Sequence, residues 1–261
     1  MHTTFSFPFG EPVQLVVQQD RNLKRIFVLG VYASAVHARW VDMSGKTRIR
    51  ALAVASEPYI FWCGDGVEAV LNRINIPPEV GKLLPAAPEL NGPSGLALDE
   101  LFLHPLGLQR NDAWLCDLVP HSCLNPKQKV ALDREYHPLM GQYALPKVTL
   151  PPVPRQLADE QRRQEIQTEV EASGANILVL LGDEPVRWFL YQFDPHWRRL
   201  ADFGQDDSVY GRLHNVKIGE KSYQVLPLAH PRQAAKLGSH SPVWHELHRR
   251  WISQVAYTLM A

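Results

Sequence analysis

The sequence predicts a three-layer α/β/α fold with a central, mainly parallel sheet. Four short segments are nearly continuous in apolar residues, as in strands that are covered on both faces. Helical segments lie between them, and such alternation favours a doubly covered sheet with right-handed crossovers. The four apolar segments are residues 25–30 (RIFVLG), 113–119 (AWLCDLV), 176–182 (NILVLLG) and 223–228 (YQVLPL).

Start and stop signals predict four helices. Gly174 is a typical residue to end a helix, and Asp183 is expected to cap the helix that begins there. Ser241-Pro242 opens a segment whose apolar residues recur at helical spacing, which indicates an amphipathic helix. The predicted helical segments are residues 66–74, 156–173, 183–193 and 241–260.

The length and composition are those of a soluble globular protein. The chain has 261 residues, of which 45% are hydrophobic, and no apolar run approaches the roughly 20 residues that span a bilayer. The first residues do not resemble a secretory signal, so we expect a cytoplasmic monomer without membrane contact. The proline-rich residues 145–154 are expected to form an extended surface connection within one domain that covers residues 1–261.

The charge and the cysteines exclude several classes of protein. The 27 basic residues equal the 27 acidic residues, so any surface that binds nucleic acid must be local. Cys63, Cys116 and Cys123 are too few for a disulfide framework or a four-thiolate iron–sulfur cluster. Cys116, His121 and Cys123 fit no standard zinc spacing, so packing thiols are favoured over a metal site, and no cofactor is predicted.

Polar residues follow the apolar segments, where ligands of parallel sheets usually bind. Tyr32 and Ser34 follow the first segment, Asp117 lies late in the second, and His230 follows the last. Ligands of such folds bind beyond the carboxyl ends of the strands. The sequence therefore predicts one pocket in which Tyr32, Asp117 and His230 surround a ligand.

Residues 225–251 (VLPLAHPRQAAKLGSHSPVWHELHRRW) resemble the last motif of the uracil-DNA glycosylase superfamily. In that family an apolar strand leads to a His-Pro pair, a short loop enters the DNA minor groove, and a helix with aromatic residues follows. His230-Pro231 matches the His-Pro pair. Arg232-Gln233 departs from the usual Ser-Pro or Ser-Ser, which implies altered loop contacts.

Four further segments resemble the family's motifs in the same order, from residue 27 to residue 251. Tyr32 stands where the family has the carboxylate or amide that handles the water, Val54 matches the stacking aromatic residue, and Asp117 matches the Asn that reads the base. The fourth resembles a strand, a Gly and a helix with a structural role. The segments are residues 27–34 (FVLGVYAS), 51–58 (ALAVASEP), 114–120 (WLCDLVP) and 177–189 (ILVLLGDEPVRWF).

The resemblance implies a monofunctional DNA glycosylase that flips out a pyrimidine and leaves an abasic site. His230 would donate a hydrogen bond to the pyrimidine O2. The alternative is a structural role in which His230 caps the adjacent loop. Asp42 is the expected water-activating residue and Glu57 the alternative, although either can be a plain surface carboxylate. Tyr32, Ser34, Val54 and Asp117 would contact the base. No Lys stands where an imine could form, so lyase activity is not expected.

The residue type at position 117 indicates which base the pocket prefers. An ionised Asp accepts hydrogen bonds, which suits the N4 amino group of cytosine and leaves the O4 acceptor of uracil unpaired. A small side chain at Val54 would leave room for a C5 substituent. Because family members remove modified cytosines from phage DNA, including glucosylated hydroxymethylcytosine, the resemblance implies an anti-phage role. The alternative is that Asp117 caps a loop or pairs with a basic neighbour.

The DNA itself would be gripped by the loop after His230. Phosphate contacts position a duplex without reading its sequence, and Lys127–Lys129 is a second candidate segment. Competing interpretations are a uracil-DNA glycosylase of base-excision repair, an inactive protein that binds DNA or modified bases, and a nucleoside hydrolase. The HELH at residues 245–248 is one residue short of a zinc-protease motif and is interpreted as a packed helix. The loop residues expected to contact DNA are Arg232, Gln233, Lys236, Ser239 and His240.

Overall fold

The computed structural model describes residues 5–238 and 240–260, and their contacts divide the chain into two compact units whose segments alternate along the sequence. The first unit contains the described residues up to Val16, Tyr32–Pro93 and Pro120–Arg155. The second contains Val17–Val31, Ser94–Val119 and the described residues from Gln156 onward. A single domain over residues 1–261 stays a prediction.

The regular elements are numbered in chain order. The strands are β1 (Ile26–Tyr32), β2 (Ala35–Val41), β3 (Thr47–Ser56), β4 (Lys82–Pro85), β5 (Ala113–Val119), β6 (Ile177–Leu181), β7 (His214–Ile218) and β8 (Lys221–Leu228). The α-helices are α1 (Val67–Leu71), α2 (Pro93–Leu98), α3 (Pro126–Ala131), α4 (His137–Tyr143), α5 (Glu160–Ser173), α6 (Asp183–Trp188), α7 (Pro231–Ala234) and α8 (Pro242–Gln254). Two π-helical turns are Asp99–Leu103 and Leu132–Tyr136.

The second unit is built on a five-stranded sheet in the order β5-β1-β6-β8-β7. β1, β6 and β8 pair in parallel, and β7 pairs antiparallel with β8. β5 begins beside β1, because the amide of Arg25 donates to the carbonyl of Asp112 over 2.8 Å just before each strand starts. All four apolar segments therefore form strands of a mainly parallel sheet flanked by helices, which confirms the predicted α/β fold class.

The helix α5 is tied to β5 by one arginine. The guanidinium of Arg162 donates to the carbonyl of Asp117 over 2.7 Å and to the carbonyl of Leu118 over 3.2 Å. Trp114 donates to Glu169 of the same helix over 3.0 Å, so the side chains of Trp114 and Cys116 face α5. Because side chains alternate along a strand, Asp117 projects from the opposite face of the sheet.

The first unit holds a three-stranded antiparallel sheet in the order β3-β2-β4. Its apolar core surrounds Trp40, whose indole N–H donates to the carbonyl of Val80 over 2.9 Å. Tyr136 closes this core, because its hydroxyl accepts from the amide of Phe9 over 3.0 Å and donates to the carbonyl of Pro146 over 2.9 Å. The segment at residues 51–58 lies mostly in β3 and belongs to this antiparallel sheet.

Each of the four predicted helical segments contains an α-helix that is shorter than predicted, namely α1, α5, α6 and α8, and α5 begins at Glu160 instead of residue 156. Gly174 takes a left-handed φ of 67° where α5 ends, and the Ser241 hydroxyl caps α8. The prediction that Asp183 caps α6 is wrong. Gly182 occupies the cap position, and Asp183 Oδ1 instead accepts from the amide of Leu200 over 2.8 Å. Among the described residues, none of the helices has both the length and the apolar character to cross a membrane.

Candidate functional site

The strand order in the sheet of the second unit reverses between β1 and β6. The chain that leaves β1 next enters this sheet at β5, on one side of β1, whereas β7 and β8 follow β6 on the other side. In open parallel sheets ligands bind beyond the carboxyl ends of the strands at such a switch point. The topology therefore indicates where a ligand site should be sought.

A cavity of about 210 Å³ lies at this position, within the second unit. Its volume is below the roughly 300–1,000 Å³ of pockets for drug-sized ligands, which suits a ligand the size of one or two small rings. The ends of β1 and β6 and the residues that directly follow β6 and β8 contribute most of the wall. The lining residues are Val31, residues 181–184, Leu200, residues 229–230, Gln233 and Trp244.

His230 lines the cavity as a neutral imidazole. Its Nδ1 accepts a hydrogen bond from the amide of Arg232 over 3.1 Å and so caps the short helix α7. Burial, with a smaller contribution from the charge of Arg232, lowers the pKa of His230 to about 4. With Nδ1 as an acceptor, the neutral ring carries its proton on Nε2. His230 therefore caps the loop, as one interpretation of the sequence expected, and still keeps an N–H donor.

Gly182 makes room for His230 at the end of β6. The amide of Gly182 donates to the carbonyl of Leu228 over 2.8 Å, which extends the pairing of β6 with β8 by one residue. Its φ of 87° and ψ of −167° are open almost only to glycine. A Cβ atom at this position would lie 3.1 Å from the Cβ of His230. The glycine thus allows the strand end to approach the histidine.

Two carboxylates of the cavity wall were not predicted as site residues. Asp183 and Glu184 follow Gly182 directly and both line the cavity with His230. Glu184 accepts from the indole N–H of Trp188 over 2.7 Å, whereas Asp183 binds the amide of Leu200 through Oδ1. The signal was present in the sequence, because these carboxylates follow the third apolar segment as His230 follows the fourth.

Asp117 is a buried carboxyl group with a strongly altered pKa. Only 3% of its surface is exposed, and burial raises its pKa to about 7 against the opposing charge of Arg162. Among the described residues, no hydrogen bond to its side-chain oxygens contributes to this pKa. Asp117 does not line the cavity of about 210 Å³. A buried, perturbed carboxyl group is nevertheless typical of functional sites.

The other predicted base-binding residues belong to the first unit. Tyr32 is 47% exposed, and the carbonyl of Ser34 accepts from the hydroxyl of Ser122. Val54 is fully buried in the apolar core around Trp40. The pocket predicted from Tyr32, Asp117 and His230 combines residues of both units and stays a prediction.

Asp42 organises the turn between β2 and β3. Its Oδ1 accepts from the amide and hydroxyl of Ser44, over 3.0 and 2.7 Å, and from the amide of Lys46 over 3.0 Å. The hydrogen bond from Ser44 is the main reason why the pKa of Asp42 lies below its ordinary value. Glu57, the alternative water-activating residue, is buried with 5% of its surface exposed. Catalytic roles for both carboxylates stay predictions.

The predicted DNA-binding loop follows His230 in the second unit. Arg232 and Lys236 are exposed, and Arg232 Nε donates to the carbonyl of Leu237 over 2.9 Å. Gln233 lines the cavity and accepts from the amide of Ser241, and His240 donates to the carbonyl of Gly238 over 3.1 Å. Ser239 lies outside the described residues.

Two other signals in the sequence concern metal binding. The described residues contain no group of three or more His, Cys, Asp or Glu side chains that could hold a metal ion. Cys116 is buried beside Arg162 and Glu169, which agrees with a packing role. His245 donates to the carbonyl of Ala234 over 2.7 Å. This contact agrees with the packed-helix interpretation of residues 245–248.

In the segment of Lys127–Lys129 the structure favours a structural role for the middle residue. Gln128 accepts from the amide of Ala53 over 3.2 Å and donates to the carbonyl of Ala51 over 2.6 Å, which ties α3 to β3. Lys129 forms an ion pair with Asp133 at 2.6 Å. A phosphate contact by this segment stays a prediction.

Comparison with known proteins identifies no relative: no model of a known protein family matches the sequence, and no curated protein matches it either. The assignment of a function therefore depends on the residues and their geometry. The neutral donor of His230, the adjacent carboxylates and the buried Asp117 are the features that an assignment must explain.

Replacing Gly182 should disturb His230 as well as the fold. We expect Gly182→Ala to destabilise the protein by about 1–3 kcal/mol, because alanine disfavours this backbone conformation and its Cβ would crowd the histidine. Gly107→Ala is the matched control, since Gly107 also has a positive φ, of 68°, but has open space where a Cβ would lie. Urea unfolding measures the stability, and NMR titration of His230 should change in Gly182→Ala alone. Identical His230 titrations in both variants would refute the prediction that a Cβ atom at position 182 crowds His230.

Asp117 should make stability fall as the pH rises. Its pKa of about 7 in the folded state exceeds the value of about 3.9 in an unfolded chain. Between these values the folded state holds a proton that the unfolded state has lost, so stability decreases up to about pH 7. We expect Asp117→Asn to gain roughly 2–3 kcal/mol relative to wild type between pH 5 and pH 8. The buried histidines titrate in both proteins and cancel. Unfolding free energies that differ by the same amount at both pH values would contradict the assignment.

Proposed function

We propose that this protein is a monofunctional DNA glycosylase that hydrolyses the N-glycosidic bond of a flipped pyrimidine and leaves an abasic site. The single observation that carries the proposal is the neutral imidazole of His230, which lines a cavity at the switch point and keeps its Nε2–H. The ordered resemblance of residues 27–251 to the uracil-DNA glycosylase superfamily supports the same reaction.

The reaction requires stabilisation of a departing anion. As the N-glycosidic bond breaks, its electron pair leaves with the base, and negative charge develops on the pyrimidine O2. A donor that is already in place stabilises this charge without reorganisation. A neutral imidazole donates a hydrogen bond without placing a full positive charge beside the cation-like sugar. The low pKa of His230 keeps the ring in this form at neutral pH.

Water activation is assigned to Asp183 in this proposal. Asp183 shares the cavity with His230, and its Oδ1 is held by the amide of Leu200, which leaves Oδ2 to accept a proton. The water oxygen forms the new bond to C1′ of the sugar, and the carboxylate takes one of its protons. The base departs with the electrons of the broken bond. Asp42 accepts three hydrogen bonds from its own turn, so Asp183 is the better candidate.

Base preference is assigned to the ionisation of Asp117, which lies outside the lining of the cavity, so the proposal requires the base to reach beyond that cavity. Its carboxylate form accepts from the N4 amino group of cytosine, and we propose that modified cytosine, including the glucosylated hydroxymethyl form of phage DNA, is the substrate. The neutral form carries an O–H donor and can pair with O4 of uracil. Because the pKa of Asp117 is about 7, both forms are populated near neutral pH. Uracil excision in base-excision repair is therefore the second candidate function.

The loop after His230 provides the DNA contacts in the proposal. Arg232 and Lys236 are exposed, and they follow the histidine by two and six residues. Basic side chains grip phosphates, and the affinity they provide falls steeply as salt increases. A chain without net charge can bind DNA in this way because only the local charge matters at the contact.

A panel of oligonucleotides tests the proposal. Strands that carry uracil, thymine in a mismatch, 5-hydroxymethylcytosine or its glucosylated form are incubated with the protein and cleaved with alkali at abasic sites. We expect cleavage of modified cytosine in preference to uracil, with uracil gaining as the pH falls below 7. Asp117→Asn should shift the preference toward uracil.

The same panel includes His230→Ala as its control. The variant should be slower by about 100- to 1,000-fold in single turnover, as expected when one donor to a developing oxyanion is removed. Full activity of His230→Ala would exclude a catalytic role for this histidine. Binding of modified DNA without abasic sites would instead identify an inactive binding protein, and cleavage of free nucleosides alone would identify a nucleoside hydrolase.

Asp183 should be needed for the chemical step. We expect Asp183→Asn to slow single-turnover excision by about 100- to 10,000-fold, because the amide cannot take a proton from water. Asp42→Asn is the matched control, and we expect it to retain most of the rate. A larger loss of rate in Asp42→Asn than in Asp183→Asn would assign the catalytic role to Asp42 instead.

A further inference from the structure

A buried chain of hydrogen bonds ends at the residue before His230. The amide of Ala229 donates to the hydroxyl of Tyr210 over 2.8 Å, and the same hydroxyl lies 2.8 Å from Nδ1 of His248. Nε2 of His248 lies 3.0 Å from the carbonyl of Leu101. Tyr210 is 3% exposed, His248 1% and Ala229 fully buried. All four residues belong to the second unit.

The two backbone groups at the ends determine the direction of every hydrogen bond. The carbonyl of Leu101 can only accept, so His248 Nε2 carries a proton and donates it. Nδ1 of the neutral ring then accepts, and the hydroxyl of Tyr210 is its donor. The amide of Ala229 donates to a lone pair of that hydroxyl. Each N–H and O–H group and the acceptor nitrogen of this network has a hydrogen-bond partner, which is the arrangement that makes a buried polar network stable.

The surroundings keep His248 neutral. The rings of Phe102 and Trp251 lie 4.3 and 5.1 Å from the imidazole ring, centroid to centroid. Burial lowers the pKa of His248 to about 4, with a smaller contribution from nearby His245 in the same direction. A protonated ring could not accept from Tyr210, so the network requires the neutral form that this environment favours.

Tyr210 accepts a hydrogen bond from the first backbone amide beyond the end of the hydrogen-bonded ladder between β6 and β8. The last register pair is Leu181 with Leu228, and the amide of Gly182 uses the carbonyl of Leu228. The amide of Ala229, which directly follows β8, donates to the Tyr210 hydroxyl instead of to a neighbouring strand. At the other end, Leu101 lies in the π-helical turn Asp99–Leu103, a form that frequently occurs at functional positions.

We propose that Tyr210 and His248 are positioning residues that hold the backbone at Ala229 and thereby fix the imidazole of His230 against the cavity. The proposal deepens the proposed function and rests on it for its effect on catalysis. The physical effect on His230 is independent of which reaction the cavity supports. Neither residue lines the cavity, so neither is required to touch the substrate.

The experiment compares Tyr210→Phe with Tyr223→Phe. Tyr223 is a matched control because it is also buried and lies in β8. Among the described residues, no hydrogen bond to the Tyr223 hydroxyl contributes to the pKa of this residue. NMR titration of the His230 ring measures its environment directly. In Tyr210→Phe we expect the pKa of His230 to rise by about one unit or more toward 6.5, because a loosened turn admits water to the ring. In Tyr223→Phe it should stay near 4.

Catalysis provides the second readout. Single-turnover excision by Tyr210→Phe at saturating DNA should slow by about 10- to 100-fold without weaker DNA binding, because a misplaced donor affects the chemical step. A merely structural role would lower the melting temperature and leave both the His230 titration and the rate of the folded protein unchanged. That outcome would overturn the proposal.

His248 variants keep the test decisive if Tyr210→Phe does not fold. His248→Gln retains one acceptor and one donor and should preserve the His230 titration, whereas His248→Leu should change it as Tyr210→Phe does. Equal titrations in the Gln and Leu variants would overturn the proposal. If the wild-type protein excises no base, the proposed function fails, and the NMR comparison still decides whether Tyr210 and His248 position His230.

Discussion

Gly182 brings the end of β6 against the turn that carries His230, and the rest of the candidate site depends on this approach. The pairing of Gly182 with Leu228 continues the parallel ladder by one residue, and the absent side chain leaves the space in which the histidine stands. The strand end then delivers Asp183 to the same cavity. A single backbone conformation that only glycine adopts readily therefore places a donor and a carboxylate in the wall of one cavity.

The chemistry of the second unit relies on burial more than on charge. Burial lowers the pKa of His230 and of His248 to about 4 and raises that of Asp117 to about 7, so all three groups have substantial neutral populations near pH 7. Neutral donors and acceptors can be kept in an apolar interior at lower cost than ions when each has a partner. A chain with no net charge can thus build a polar site without an excess of basic residues.

Some parts of this site could be predicted from residue order and others could not. His230 was predicted because it follows an apolar strand in a His-Pro pair, and it does line a cavity at the carboxyl end of that strand. Asp183 obeys the same rule but was assigned to a helix cap, since Asp is common there. Asp42 was favoured by its place in the resemblance, and its three local hydrogen bonds could not be foreseen from that place.

The sequence by itself determined the second unit's parallel core and two of its helices, because a strand covered on both faces must be apolar throughout and a helix needs recognisable ends. It also determined that His230 would follow a strand. Only the tertiary structure decided that β2, β3 and β4 form a separate antiparallel sheet. It also decided that Tyr210 forms hydrogen bonds with Ala229 and with His248, which lies 38 residues further along the chain. Strand pairing and buried hydrogen bonds between distant residues depend on how the chain packs, and no local pattern of residues specifies them.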